Sequence, residues 1–180
     1  GVDALDVALA GMSGLTSQPN FNSLVASLEG NERANPMDLK KLNEFSNYWE
    51  VVREYYYPFE SGLKAGTAEV YDHEIPGGQY SNLGPQVRAL GLTDRWEEVK
   101  ENYKIVNNVL GDLIKVTPSS KVVGDLALFM TTQNLSREEL LDKAESLSFP
   151  DSTMAFFRGE IGKPYGGFPK DLQQAVLKDE

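Results

Sequence analysis

From residue 20 onward, the apolar positions of this chain recur at helical spacing. Phe21, Leu24, Val25 and Leu28 fall at i, i+3, i+4 and i+7, which predicts a helix over residues 20–28. Asn35-Pro36 supplies a cap and a first-position proline for a second helix running to about Tyr56. It carries Leu39, Leu42, Phe45, Trp49, Val52 and Tyr56 on one side and is stopped by Pro58. Residues 60–81 contain Gly62, Gly66 and Pro76-Gly77-Gly78, so they read as irregular loop with a short extended piece at 69–75. Gly84-Pro85 starts a short helix that ends at the left-handed cap residue Gly91. Asp94 and Glu97 have capping-box spacing ahead of Trp96, Val99, Tyr103, Val106 and Leu110, and Ser136 and Glu139 repeat that spacing before a helix to about Leu147. Between them, Thr117-Pro118-Ser119-Ser120 marks a helix through Met130, and two further helices follow Pro150 and Pro169.

The first ten residues differ. Val2, Ala4, Leu5, Val7, Ala8 and Leu9 form a short, mostly apolar run that fits a buried strand or a short helix, and the Gly11–Gly14 turn favours a strand feeding a loop. The pattern therefore predicts a mainly α fold, with about seven or eight helices and one stray strand.

Charge and composition then exclude chemistry. The 180 residues hold 27 acidic and 17 basic side chains, a formal net charge of −10 with no basic cluster, which disfavours nucleic acid as a partner. The chain has no cysteine, so disulfides, thiol catalysis and cysteine-based zinc sites are out of reach; this composition suits a reducing cytoplasm. Its one histidine, His73, cannot furnish a metal site that needs two imidazoles. No apolar run approaches a membrane span.

Few residues invite chemistry. His73 lies in Tyr71-Asp72-His73-Glu74 and reads as a loop histidine hydrogen-bonded to a neighbour. Tyr55-Tyr56-Tyr57 at a helix end reads as two buried rings and one exposed ring. Asn134-Leu135-Ser136 matches a glycosylation acceptor, but Ser136 is better used as a cap. Lys115 and Lys121 flank Val-Thr-Pro-Ser-Ser. They could serve an anion at a helix start, or simply neutralise one helix end and accompany a serine cap on the next. In Gly11–Pro19, a strand would end in a small polar loop, the position active-site groups take at the C-terminal ends of barrel strands. There the hydroxyl of Thr16 could relay a proton, or Thr16 and Ser17 could cap the next helix.

Four stretches, taken together, carry a resemblance. They are Met12-Ser13-Gly14-Leu15-Thr16-Ser17-Gln18-Pro19, then Tyr71 to Leu83 with its Asp-His-Glu-Ile-Pro-Gly-Gly-Gln-Tyr core, then Gly111 to Asp125, and Leu147-Ser148-Phe149-Pro150. In this order, and over essentially the whole chain, the sequence resembles the C-terminal part of the carboxyltransferase region of the pyruvate carboxylase family. Relatives of that family, the oxaloacetate decarboxylase α subunit and the transcarboxylase carboxyltransferase subunit, remain alternatives, as does a non-catalytic helical interaction module.

The resemblance implies the end of an α/β (TIM-type) carboxyltransferase barrel over residues 1–30 and a helical, funnel-like extension over 31–180. It implies a biotin-dependent ligase that passes a carboxyl group from carboxybiotin to pyruvate and forms oxaloacetate for anaplerosis and gluconeogenesis. It further implies biotin on a carrier domain outside this chain, and ATP and a divalent metal (zinc or manganese) elsewhere in a cytoplasmic homo-tetrameric parent, with no membrane. Thr16 matches the threonine that moves a proton between pyruvate and biotin, with Ser17 and Gln18 beside it as pocket lining. Lys115, Thr117 and Lys121 are expected along the funnel, and no metal site is expected to be complete. The chain by itself is expected to be inactive.

Overall fold

The computed structural model describes residues 2–178. Gly1, the near bound of the expected strand, and Asp179 and Glu180, the last residues of the expected extension, lie outside the described residues. By contact the chain falls into two compact units that meet in sequence between Thr67 and Ala68.

In the first unit the expected strand does not form. Residues 2–9 are irregular, with one isolated parallel bridge in which the Ala8 N–H donates to the Pro19 carbonyl (3.0 Å) and the Phe21 N–H to the Ala8 carbonyl (2.8 Å). A strand needs a neighbour along its length, and among the described residues no second segment pairs along this one. The run ends instead in a 3₁₀ turn, Ala10–Met12.

Two helices follow. α1 (Phe21–Ser27) is capped by Asn20, whose Oδ1 accepts from the Ser23 N–H. α2 (Leu39–Arg53) starts three residues later than Asn35-Pro36 predicts. Asp38 is its cap, accepting from the Lys40 and Lys41 N–H groups, whereas Asn35 closes a turn onto the Met37 N–H. Its end also differs, since α2 stops at Arg53 and Pro58 lies inside a 3₁₀ turn, Glu54–Phe59.

Gly11 lets the 10–12 turn approach the α2 backbone. A Cβ there would stand 2.8 Å from the Ser46 carbonyl and 2.9 Å from the Glu50 nitrogen. A polar knot completes the contact. The Ala10 N–H reaches both Asn22 Oδ1 (3.1 Å) and Ser46 Oγ (3.2 Å), and Arg53 Nη1 donates to the Gly11 carbonyl (3.0 Å). The three tyrosines after α2 correct the expectation of two buried rings: all are more than half exposed, because the turn they occupy buries no side chain.

The second unit holds the contiguous hydrophobic core, from Ile75 to Val176. Its centre is the pair α5 (Trp96–Val109) and α6 (Ser119–Gln133), where Val99, Tyr103, Val106 and Leu110 meet Val122, Val123, Leu126 and Met130. Each such side chain, fully removed from water, contributes about 1.5–3 kcal/mol of transfer free energy.

Before this pair come α3 (Val70–His73) and α4 (Gly77–Ala89), where the sequence predicted loop, an extended piece, and a helix beginning only at Gly84. Burial decides that difference. Gln79, Leu83 and Val87 bury one side of α4, which outweighs the poor propensity of Gly77, Gly78 and the interior Pro85. α4 ends at Gly91 as expected, with the Leu92 N–H returning to the Val87 carbonyl.

Asp94 does not cap α5; a 3₁₀ turn, Thr93–Arg95, precedes it instead. α7 (Arg137–Asp142) does begin with the Ser136–Glu139 capping box, and a 3₁₀ turn, Ala144–Ser146, takes the place of its expected last turn. α8 (Asp151–Phe157) and α9 (Lys170–Leu177) follow Pro150 and Pro169 as predicted. The mainly α expectation holds throughout.

Candidate functional site

The residues singled out by sequence lie in two places. Thr16, Ser17 and Gln18 share one closed loop in the first unit. The Gly14 N–H donates to the Gln18 carbonyl (2.8 Å) and the Ser17 N–H to the Gly14 carbonyl (2.7 Å), so residues 14–18 curl back on themselves. Two successive left-handed residues make that curl, Gly14 (φ 72°) and Leu15 (φ 51°). Glycine takes this conformation freely; for leucine it is strained, at a cost of order 1 kcal/mol or more. The strain falls directly before Thr16 and tightens the turn that presents it. Thr16 is half-buried, and Ser17 and Gln18 are exposed. Because Asn20 caps α1, the capping alternative for Thr16 and Ser17 is removed.

Lys115 and Thr117 lie on the loop between α5 and α6, and Lys121 on the first turn of α6. Both ammonium groups are already matched. Lys121 pairs with Asp125, which also accepts from Ser152 Oγ (2.6 Å). Lys115 Nζ lies 2.9 Å from Glu74 Oε2. Ser119 secures the loop locally, with its hydroxyl 2.6 Å from the Ile114 carbonyl and accepting from the Val116 N–H at 3.2 Å. Beside it, Leu113, Ile114, Phe156, Ile161, Lys163 and Tyr165 help to line a cavity of about 580 Å³.

The partner of Lys115 is a residue that sequence reasoning passed over. Glu74 stands in the left-handed region (φ 60°, ψ 15°), and its Oε2 also accepts from Asn107 Nδ2 at 3.1 Å. The Lys115 hydrogen bond first, then the Lys115 charge, Asn107 and Lys104, hold the Glu74 carboxyl below its ordinary range. The sequence signal was the turn Glu74-Ile75-Pro76-Gly77, where a long acidic side chain occupies a place that glycine or asparagine would fill at less cost.

His73 is hydrogen-bonded to a neighbour as expected, but it is buried at the end of α3 and not on a loop. Its Nδ1 accepts from the Ile75 N–H (2.9 Å), and its ring lies 5.6 Å from that of Tyr80. Burial, and then the Lys100 charge, lower its pKa, partly opposed by Glu69, Asp72 and Glu97.

Among the described residues, no group of three or more His, Asp or Glu comes together as a metal ion would require, so these residues do not fit one. No helix among them is long and apolar enough to cross a membrane.

Comparison with known proteins gives these loops a setting. The family described as the conserved carboxylase domain matches residues 70–180. Over its whole length the chain is 53% identical to pyruvate carboxylase of Bacillus subtilis and 51% identical to that of Staphylococcus aureus, taking in 16% of each relative. The solved carboxyl transferase domain of Rhizobium etli pyruvate carboxylase matches with a TM-score of 0.94 at 47% identity, over 100% of this chain and 30% of that one. The complete multifunctional enzyme from the same organism matches with a TM-score of 0.93 over 17% of its chain. The chain thus spans a small part of the relatives it matches.

Proposed function

The chain belongs to the conserved carboxylase domain family, and from that premise we propose that it works as the C-terminal part of the carboxyltransferase domain of a biotin-dependent pyruvate carboxylase. In this reading, residues 1–30 close the barrel and residues 31–180 form the helical extension at its mouth. The exposed aromatic face of the first unit supports it. Phe45, Tyr48, Trp49 and Tyr56 stand open on α2 and the turn after it, beside an irregular segment with a single bridge, as suits a piece that packs against the remainder of a domain. ATP and a divalent metal would belong to other parts of such an enzyme, where the metal would supply Lewis-acid polarisation of the keto acid. Biotin arrives on a separate carrier domain and is a substrate of this half-reaction. The enzyme would act as a homo-tetramer; the rat relative is named mitochondrial, whereas the cysteine-free composition here suits the cytoplasm.

Thr16 is the residue on which the chemistry turns. Its Oγ1 takes a proton from the methyl group of pyruvate while its own proton passes to the ring nitrogen of biotin, from which the carboxyl group departs. The electron pair left on the pyruvate carbon takes up the carboxyl carbon, giving oxaloacetate, and Thr16 ends with one proton as it began. A hydroxyl suits this two-way traffic because it donates and accepts in one geometry. Ser17 and Gln18 border the biotin ring, and Lys115, Thr117 and Lys121 line the approach. The observation that carries the reading is the strained, self-closed 14–18 loop presenting a half-buried threonine.

In the full-length enzyme, Thr16→Ala is expected to lower oxaloacetate formation by roughly 10²–10⁴-fold while ATP-dependent carboxylation of biotin continues. Thr16→Ser should retain much of the activity. Oxaloacetate formation at the parental rate in the alanine variant would end the proposal.

A further inference from the structure

The loop from Gly111 to Pro118 joins the two central helices of the core, yet much of it faces solvent. Its bonds to the nearest turns are local: the Asp112 N–H closes onto the end of α5 at the Asn107 carbonyl, and Ser119 ties 114 and 116 to the start of α6. Ile114 and Val116 point outward and are mostly exposed, while Leu113 and Lys115 turn in. Leu113 packs into the core, and the loop's polar link to a distant part of the chain is Lys115, whose ammonium reaches Glu74, 41 residues earlier.

Glu74 is built to hold a fixed position. The residues on either side of it, His73 and Ile75, are buried, and the hydrogen bond from the Ile75 N–H to His73 Nδ1 spans it. Its backbone adopts a left-handed conformation that a glutamate occupies at a cost of order 1 kcal/mol, so the side chain, not the turn, explains why a long residue stands there. The same carboxylate oxygen accepts from Asn107 on α5. One turn earlier on that helix, the Tyr103 ring is fully buried, and its hydroxyl feels the Glu74 charge. The Glu74 side chain keeps 38% exposure, and the Lys115 ammonium that pairs with it from the centre of the loop belongs to a side chain only 19% exposed.

We infer that Glu74, tethered by Asn107, is a positioning residue for carboxyl transfer: through Lys115 it holds the 111–118 loop, and with it Thr117, in the arrangement that receives the biotin head. This rests on the reading of that loop as part of the approach to the active site. Lys115 then acts through its place, by its ion pair with Glu74.

The test uses the full-length enzyme and decarboxylation of oxaloacetate dependent on added free biotin, with hydrogen exchange followed at residues 113–117. Glu74→Gln is expected to raise the KM for biotin about fivefold with kcat little changed, and to speed exchange across the loop without lowering the melting temperature. Lys115→Met should do the same, and the double variant should add nothing to either. The charge-reversed pair, Glu74→Lys with Lys115→Glu, should recover part of the loss. If Glu74→Gln fails to fold, Glu74→Gly removes the carboxylate at a φ that glycine accepts, and the same KM and exchange changes are expected of it.

Unchanged KM and loop exchange in the single variants, or effects that simply add in the double variant, would overturn the inference. So would a loss of melting temperature that accounts for the whole effect. A parental enzyme without biotin-dependent turnover would overturn the functional reading instead, and exchange at 113–117 would still decide whether Glu74 holds the loop.

Discussion

His73 accepts the Ile75 N–H through Nδ1, which requires that nitrogen to carry no proton. Protonation would set two donors against each other in a buried site next to the Lys100 charge, only partly offset by Glu69, Asp72 and Glu97. The folded state therefore binds the proton less readily than the unfolded chain, whose histidine titrates near 6.5. The stabilisation is fully present above pH 6.5 and is lost as pH falls from there toward the lower folded value. As the chain has one histidine, its ring proton signals can be followed by NMR without ambiguity. A midpoint below 6.5 is expected, with the urea midpoint decreasing as pH drops through the same window. A midpoint at or above 6.5 would contradict the geometry. That His73 is a hydrogen-bonded structural residue was legible in the sequence. That Glu74 next to it is pinned to Lys115 was not, because nothing local couples positions 41 apart. Tyr55–Tyr57 failed for a related reason: side-chain type alone does not tell which rings have something to pack against.

At the scale of elements, part of the chemistry that acts within four residues was legible, although neither Asn35 nor Asp94 caps the helix that its spacing predicted. The Ser136–Glu139 capping box, the Gly91 cap and the starts after Pro150 and Pro169 all form. α4 was not legible, since Gly77, Gly78 and Pro85 disfavour a helix until Gln79, Leu83 and Val87 are buried. The contact that permits this burial lies on α6, where Gly124 has no Cβ to obstruct Gln79. A Cβ would stand 2.3 Å from Gln79 Nε2 and 3.3 Å from Leu83 Cδ2. Gly124→Ala is accordingly expected to destabilise the second unit by about 1–3 kcal/mol in urea unfolding, despite alanine's better helix propensity. Adding Gln79→Ala should restore part of the loss, because the nearest obstruction is the end of that side chain. A stabilising Gly124→Ala would show that α4 is held off α6 by more than this distance.

For the whole molecule, the contiguous hydrophobic core lies within the second unit, which is expected to fold by itself. Residues 68–180, expressed alone, should keep their helical circular dichroism and unfold in one cooperative transition. Gly11→Ala, which sets a Cβ 2.8 Å from the Ser46 carbonyl in the first unit, should leave the unfolding of the second unit unchanged in the full chain. Loss of helicity in the 68–180 piece would place part of its stability in the first unit. The first unit buries few large side chains and displays an aromatic face, the pattern of an element that completes its packing against more of a domain.

By itself the sequence determined the helical character of the chain, several of the helix ends and the family to which it belongs, since each rests on short-range spacing or on residues in order. It also placed Thr16 in a small polar loop. Only the tertiary structure decided that the opening segment is not a strand, that the loop closes through a strained Leu15, that α4 begins at Gly77 and that Lys115 answers to Glu74. Each of these depends on what lies across from a residue: a missing strand partner, a cap at Asn20, a glycine on α6, a carboxylate on another turn. Such opposition arises from burial and from pairing across the fold, which no local pattern of side chains contains.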